Sequence, residues 1–248
     1  MNAAAAAFAL APALALGSFL NVVVARVPER RSVLRPPSSC GSCGEEILWR
    51  DNIPLVSYAL LRGRCRHCGT SISPIYPLVE GLTAALVVAC VAVFGATPEA
   101  AVAAGFCAVL VTLSVIDLRH RLVPDRIVLP AAVTALVLRT LLDPSPEWIL
   151  AAVVASGLLF LAVLASPTGL GLGDVKLALL LGAVLGASVS VALMLGFLAA
   201  LVLAAVLTLR HGRSARRMAV PLVPFLSLGA VVALFAGERI LDSYLGLF

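Results

Sequence analysis

Charged, lysine and aromatic residues are all scarce in this chain. Only 12% of its 248 residues are charged and 6% are aromatic, whereas 61% are hydrophobic. About 25% charged is usual for a soluble domain, so the composition excludes an ordinary water-soluble globular protein. Apolar runs near the roughly 20 residues that cross a bilayer recur along the chain, and they are too long for barrel strands. The sequence therefore predicts an all-α, multi-spanning membrane protein in contact with the lipid bilayer.

The apolar runs define the predicted helices. They cover residues 3–24, 78–95, 100–116, 127–142, 147–165, 175–188, 190–209 and 220–247. The 175–209 run is too long for one crossing, and Gly186-Ala187-Ser188 is the expected turn within it. We therefore predict about eight transmembrane helices. The expected domains are a first helix at 1–24, a polar loop at 25–77 and a membrane domain at 78–248.

The basic residues are distributed unevenly across this topology. Sixteen of the 18 fall in segments on one side of the membrane, and only Arg139 and Arg239 fall near the opposite ends. The positive-inside rule then places the polar loop in the cytosol and both chain termini outside. The first apolar run follows no basic segment, which favours a retained helix over a cleaved signal peptide. The net charge of +5 is thus a sign of topology, and we expect no nucleic-acid partner.

Four of the six cysteines lie in the polar loop as two CxxC pairs separated by 21 residues. These are Cys40, Cys43, Cys65 and Cys68. Facing pairs of this kind supply four thiolates to a tetrahedral ion, and a zinc site with four cysteine ligands has no open position for chemistry. Because disulfides are disfavoured in the cytosol, we predict a structural zinc that folds the loop. A redox or unliganded set of thiols is the alternative. Cys90 and Cys107 lie in apolar runs and are expected to be buried.

One stretch, Thr168 to Leu177, places alternate glycines before an acid between two apolar runs. Asp174 is the only carboxylate within residues 148–237. An acid at the centre of a membrane helix costs roughly 2.5 to 3.5 kcal/mol, so such a residue is a functional candidate. Gly171 and Gly173 would let a substrate backbone approach closely.

A second acid, Asp117, falls at the cytosolic end of the third predicted helix, on the same membrane face as Asp174. Two carboxylates meeting in a low-dielectric setting share one proton, as in aspartic proteases. Such a pair can activate a water as base and protonate a leaving amine as acid. The alternative for Asp117 is an interfacial ion pair with Arg119 and Arg121. Asp125, after a proline, is expected to cap the next helix.

Two questions remain open at this stage, namely the role of Lys176 and the choice between an enzyme and a transporter. Lys176, the only lysine, either tunes the acidic pair, contacts a substrate or anchors a helix end at the interface. The acids are also compatible with a proton-coupled transporter carrying a zinc-stabilised loop. Their placement at the cytosolic ends and the lack of an inverted repeat favour the enzyme over the transporter.

Several further motifs occur in a fixed order over more than two hundred residues. They are Gly17–Val23 with Arg26-Val27-Pro28, the CxxC pairs around Trp49 and Asn52–Leu55, Tyr76–Glu80, Asp117 with Leu122–Asp125, and Gly171–Leu177. Together they resemble the type IV prepilin peptidases, a family of intramembrane aspartic proteases with a GxGD motif.

The resemblance implies that Asp117 and Asp174 are the catalytic pair. The residues expected to support them are Gly171, Gly173, Lys176 and Asp125. The implied substrates are prepilins or pseudopilins with a short basic leader, cut on the cytosolic side of the bacterial inner membrane. Members that keep the cytosolic loop often also N-methylate the new amino terminus with S-adenosylmethionine. That second activity and its cofactor are therefore expected here, and no residue is assigned to the cofactor.

Two segments depart from the family pattern. Ile75 stands where members commonly have an arginine before the Tyr-Pro, a change that bears on the methylation step. Pro221-Leu222-Val223-Pro224-Phe225 stands where members have Pro-Phe-Gly-Pro-Phe. We expect this second change to alter packing near the substrate groove and to leave the two acids untouched.

Overall fold

The structure is a computed structural model, and it describes residues 3–166, 170–212 and 220–246. Within these ranges the regular structure is helical, apart from two isolated β-bridges in the polar loop. The predicted all-α class is therefore confirmed for the described part of the chain. Thr168 and Gly169 of the glycine-rich stretch, and the arginines at 213, 216 and 217, lie outside the described residues.

The helix bounds agree closely with the apolar runs. In chain order the helices are α1 (Ala3–Arg26), α2 (Val56–Leu60), α3 (Ile75–Phe94), α4 (Pro98–His120), α5 (Asp125–Leu142), α6 (Glu147–Ala165), α7 (Leu172–Leu185), α8 (Val189–His211) and α9 (Val223–Leu245). Short 3-10 turns occur at Trp49–Asp51 and Gly186–Ser188. The second turn confirms the break expected in the long apolar run, and Gly186 there adopts a left-handed φ of 56°.

Six helical stretches of the described residues are long and apolar enough to cross a membrane. They are Ala4–Arg26, Ile75–Phe94, Pro98–His120, Glu147–Ala165, Leu172–His211 and Val223–Tyr244. The 40-residue stretch Leu172–His211 comprises α7 and α8, and α5 is not among the six. The protein is thus a multi-pass membrane protein, while the count of eight crossings stays a prediction.

The chain divides into two compact units, Met1–Thr112 and Leu113–Phe248. In the first unit α1 packs along α3, and the polar loop lies between them in sequence. The loop is tied to this helix pair through Glu80, whose Oε2 accepts the Leu55 backbone N–H at 2.8 Å. Asn21 Nδ2 donates to the Tyr76 carbonyl at 3.1 Å and to Glu80 Oε1 at 3.4 Å. The predicted domain bounds stay a prediction.

The second unit is built around α7. Leu177, Ala178 and Leu181 of this helix are fully buried, because α7 packs against α5 and α6 while α8 packs against α9. Small residues such as Ala152 and Ala155 on α6 are also buried, and they allow the close helix packing that membrane proteins rely on. The middle of α7 is therefore part of the core of the second unit, whereas Leu172 at its start is exposed.

Candidate active site and metal centre

Asp117 lies in the last turn of α4 and is only 6% exposed. The helix ends after His120, because Arg121 adopts a left-handed φ of 53° and donates its N–H to the Asp117 carbonyl at 2.9 Å. A left-handed residue of this kind commonly terminates a helix, although glycine is the usual choice. The chain is thus turned away directly after the acid.

The Asp117 carboxylate accepts a hydrogen bond from the start of α9. Its Oδ2 accepts the backbone N–H of Val223, the first residue of α9, at 3.2 Å. The first N–H groups of a helix have no partner within the helix, and the positive end of the helix dipole stabilises a negative charge there. The expectation that the sequence change at 221–225 leaves the two acids untouched stays a prediction, because this segment contacts Asp117 through a backbone N–H.

Asp174 is the third residue of α7. Its Oδ2 accepts the backbone N–H of Gly171, the N-cap residue, at 3.1 Å, and its own N–H donates to the Gly171 carbonyl at 3.1 Å. An acid that reaches back to the N-cap amide is the return half of a capping box. This contact uses one carboxylate oxygen. Within the described residues the Asp174 Oδ1 and the Asp117 Oδ1 accept no hydrogen bond.

Two contacts join the segment that follows Asp117 to the segment that carries Asp174. The side chain of Val123 lies against Gly173, so closely that a Cβ at Gly173 would fall 2.9 Å from Val123 Cγ2. Lys176 Nζ lies 2.6 Å from Asp125 Oδ1. These contacts join the two segments, so the two acids lie in the same region of the second unit. The structure therefore gathers Asp117, Asp174 and the residues expected to support them in one place.

Two details of this region differ from expectation. Asp125 does not cap α5, because the N-cap is Pro124 and the Asp125 side chain instead pairs with Lys176. Arg119 and Arg121 form no ion pair with Asp117 within the described residues. The Lys176 and Asp125 side chains are 33% and 57% exposed. A pair this exposed contributes roughly 0 to 1 kcal/mol, so it adds little to the stability of the fold.

The four loop cysteines form one cluster in the first unit. Their Sγ atoms all lie within 4.8 Å of one another, and Cys40 Sγ lies 3.8 Å from Cys68 Sγ. A tetrahedral zinc with bonds of about 2.3 Å holds its sulfur ligands about 3.8 Å apart. The cluster therefore fits a metal ion of this type, and Cys40, Cys43, Cys65 and Cys68 are the residues that can hold it.

The two CxxC pairs are built alike. The N–H of Cys40 donates to the Glu45 carbonyl and that of Gly44 to the Cys40 carbonyl, and the same two bonds recur from Cys65 to Thr70 and from Gly69 to Cys65. Both glycines have a left-handed φ, 74° at Gly44 and 71° at Gly69. The left-handed turn favours glycine at the fourth residue after each first cysteine.

The surrounding loop favours the thiolate form of Cys68 and is held in a fixed shape by an ion pair. Hydrogen bonds from the side chain and backbone of Thr70 lower the pKa of Cys68 to about 6. The bidentate Arg66 hydrogen bond, with N–O distances from 2.6 to 3.0 Å, lowers the pKa of Asp51. Because Arg66 belongs to the second CxxC pair and Asp51 to the 3-10 turn, this ion pair braces the loop.

The remaining cysteines behave as expected. Cys90 and Cys107 are both fully buried, and their sulfur atoms lie 3.9 Å apart. Sequence reasoning did not single out Glu80, which is 8% exposed and bridges the loop to α1. The sequence contains a signal that could have identified Glu80. An acid within an apolar helix is costly in a membrane, which is the reason that Asp174 is a functional candidate.

Comparison with known proteins identifies two family models and several relatives that match the chain. The model of the Bacterial Peptidase A24 N-terminal domain matches residues 12–94, and that of the Type IV leader peptidase family matches residues 104–209. A prepilin leader peptidase/N-methyltransferase of Bacillus subtilis is 35% identical over 243 residues, which cover 94% of each chain. One from Xanthomonas campestris pv. campestris is 34% identical and covers 94% of this chain and 91% of the relative.

A third relative, the prepilin leader peptidase/N-methyltransferase of Myxococcus xanthus, is 46% identical over 133 residues. That match covers 54% of this chain and 40% of the relative. No solved structure matches the chain. These matches give no support to the transporter alternative.

Proposed function

The chain belongs to the type IV leader peptidase family, and from this membership we propose that Asp117 and Asp174 are the catalytic pair with which it cleaves the short basic leader of prepilins or related pseudopilins. The observation that carries the proposal is that the Val123–Gly173 and Asp125–Lys176 contacts join the two segments that carry the acids. Each acid is held at one oxygen by a backbone N–H, from Val223 and from Gly171. The other oxygen of each acid is left for a substrate or a water.

The chemistry follows from one shared proton. The ionised carboxyl of the pair takes a proton from a water, and the water oxygen bonds to the carbonyl carbon of the scissile peptide. The protonated carboxyl gives its proton to the carbonyl oxygen. When the tetrahedral intermediate collapses, the C–N bond breaks, the leaving amine takes a proton from one carboxyl of the pair, and a hydroxyl of the intermediate returns a proton to the other carboxyl. The two N–H donors hold both carboxyl groups in place throughout, so that little reorganisation is needed.

The experiment that tests the pair is cleavage of a short-leader prepilin by the purified protein in detergent. Asp117→Asn and Asp174→Asn keep an oxygen that can accept the Val223 or Gly171 N–H, but neither can take up or share the proton. We expect each to lower the cleavage rate by at least about 100-fold. Asp242→Asn, an exposed acid near the end of α9, is the matched control. Cleavage at the wild-type rate by either of the first two variants would refute the pair.

The second activity is N-methylation of the new amino terminus. When bound, S-adenosylmethionine supplies a methyl group on a positively charged sulfur, which leaves as a neutral thioether when an amine attacks. The relatives of Bacillus subtilis and Xanthomonas campestris carry this activity in their names. They cover nearly the whole chain, including the loop, which supports the same activity here. Mass spectrometry of the mature pilin amino terminus tests it, and an unmethylated terminus after normal cleavage would restrict the enzyme to proteolysis.

The metal is zinc and its role is structural. The set of four cysteine donors, the sulfur spacing and the lack of an open coordination position support this assignment. The protein lies in the bacterial inner membrane, with both termini outside and with the loop and the acids facing the cytosol. The positive-inside distribution of the arginines supports this orientation.

A further inference from the structure

The first unit contains a cavity of about 530 Å³ between the polar loop and one face of α1 and α3. Pockets for small molecules and cofactors typically measure roughly 300 to 1,000 Å³. Ser18, Asn21, Val22 and Ala25 line one wall at the spacing of a single helix face, and Tyr76 and Glu80 of α3 line another. The peptidase pair lies in the other unit of the chain and uses none of these residues.

The charges in this cavity are not balanced within the protein. Among the charged residues that line the cavity, Asp51 is neutralised by Arg66 and Arg31 pairs with Glu29. Glu45 and Glu46 also line it, but they are exposed to solvent and make no ion pair within the described residues. Glu80 is 8% exposed and makes no ion pair within the described residues. Its neighbours are neutral groups, namely the Asn21 amide, the Leu55 N–H and the Ser18 hydroxyl. A buried carboxylate without a cation is unfavourable, so the cavity is suited to a ligand that brings a positive charge.

A cation stands on the same wall of the cavity. Arg26, in the last turn of α1, is half-buried, and its guanidinium donates to the Ser32 carbonyl at 3.1 Å. It makes no ion pair within the described residues, and its remaining donors can bind a carboxylate. Tyr58 and Tyr76 also line the cavity, and aromatic side chains offer faces on which a purine can stack.

We propose that this cavity binds S-adenosylmethionine, with Glu80 as the counter-charge of its sulfonium and Arg26 as the partner of its carboxylate. The inference rests on the methyltransferase half of the proposed function and adds a location and two named contacts to it. The structural alternative for Glu80 is that it only ties the loop to the helices through Leu55 and Asn21. The two roles differ in whether the negative charge itself matters.

The test compares two ligands that differ in one charge. Binding of radiolabelled S-adenosylmethionine and S-adenosylhomocysteine to the full chain in detergent is measured by equilibrium dialysis. The first ligand has a sulfonium and the second a neutral thioether, while both keep the amino and carboxylate groups. Glu80→Gln retains an oxygen for the Leu55 N–H and removes the charge. We expect Glu80→Gln to weaken the binding of S-adenosylmethionine at least about tenfold and to leave the affinity for S-adenosylhomocysteine within about twofold of wild type.

Arg26→Gln provides the complementary result, because both ligands carry the carboxylate that Arg26 would bind. We expect it to weaken both by a similar factor of about tenfold. Glu99→Gln, an exposed acid in the same unit that does not line the cavity, should change neither. Prepilin cleavage by each variant shows that it is folded. Photochemical cross-linking of the bound label should modify peptides within residues 18–80.

The outcomes separate this inference from the proposed function. Unchanged binding by Glu80→Gln, or equal loss of both ligands, would overturn the sulfonium role. Label found only beyond residue 112 would overturn the location. A wild-type protein that cleaves prepilin and binds neither ligand would overturn this inference and the methyltransferase activity together, but not the peptidase. If the wild-type protein does not cleave prepilin but the Glu80→Gln and Arg26→Gln variants show the expected changes in ligand binding, the S-adenosylmethionine site is supported and only the peptidase activity is refuted.

Discussion

The backbone nitrogen of Val223 lies 3.2 Å from the Asp117 carboxylate, although the two residues are 106 positions apart in sequence. The contact is made by the main chain, so the side chain at this position does not supply it. Val223 stands where family members have glycine, and its side chain is only 1% exposed. The donor to Asp117 and the packing of the side chain are therefore separable.

Val223→Gly tests this separation. The substitution keeps the N–H that Asp117 accepts, so we expect the kcat/KM for prepilin cleavage to stay within about threefold of wild type. It removes a buried valine side chain, which contributes roughly 1.5 to 3 kcal/mol, so we expect a lower melting temperature. Intact melting behaviour with a large loss of cleavage would show that the side chain, and not the amide, positions Asp117.

Gly173→Ala addresses the contact between the two acidic segments. A Cβ at this position would lie 2.9 Å from Val123 Cγ2 and 3.0 Å from its Cβ. The crowding displaces the start of α7 relative to the loop after α4, and a displacement near 1 Å can cost about 100-fold in rate. We expect Gly173→Ala to lower kcat by roughly 10- to 100-fold. The measurement is single-turnover cleavage.

Val123→Ala is the control for this effect. Val123→Ala removes both Cγ atoms, so the double variant Gly173→Ala with Val123→Ala should recover part of the lost cleavage rate. Val123→Ala alone should change kcat only slightly. A double variant as slow as Gly173→Ala would mean that the glycine is needed for substrate approach instead of segment packing.

Some of these features followed from sequence and others did not. The cluster of four cysteines and the break at Gly186 depend on residues close together in the chain, so spacing and composition were sufficient to predict them. The Val223–Asp117 and Lys176–Asp125 contacts join residues 106 and 51 positions apart. They depend on how helices pack, and helices that are apolar on every face carry little periodicity to indicate a neighbour.

The Lys176–Asp125 pair is expected to orient the acidic segments. Because it is exposed, Lys176→Gln and Asp125→Asn should each lower stability by less than about 1 kcal/mol. If the pair acts as a unit, each single change should reduce kcat by a similar factor, and the double variant should be no slower than either single one. Cleavage kinetics of the three variants measure this, and additive losses would show that the two residues act independently.

The zinc prediction concerns the loop as a folded body. Cys40→Ser with Cys65→Ser removes one thiolate from each CxxC pair, so metal analysis should show a loss of about one zinc ion per chain. Without the ion the two turns lose the contact that holds them together, and the arginine-rich loop should be cut faster by trypsin. Cys90→Ala with Cys107→Ala removes as many thiols from the buried pair and should keep the metal.

Because Cys40 and Cys65 also line the cavity beside Glu80, loss of the ion should weaken the binding of S-adenosylmethionine and S-adenosylhomocysteine alike. A metal-free wild-type protein that resists trypsin would show that the loop folds through Asp51, Arg66 and its backbone hydrogen bonds alone.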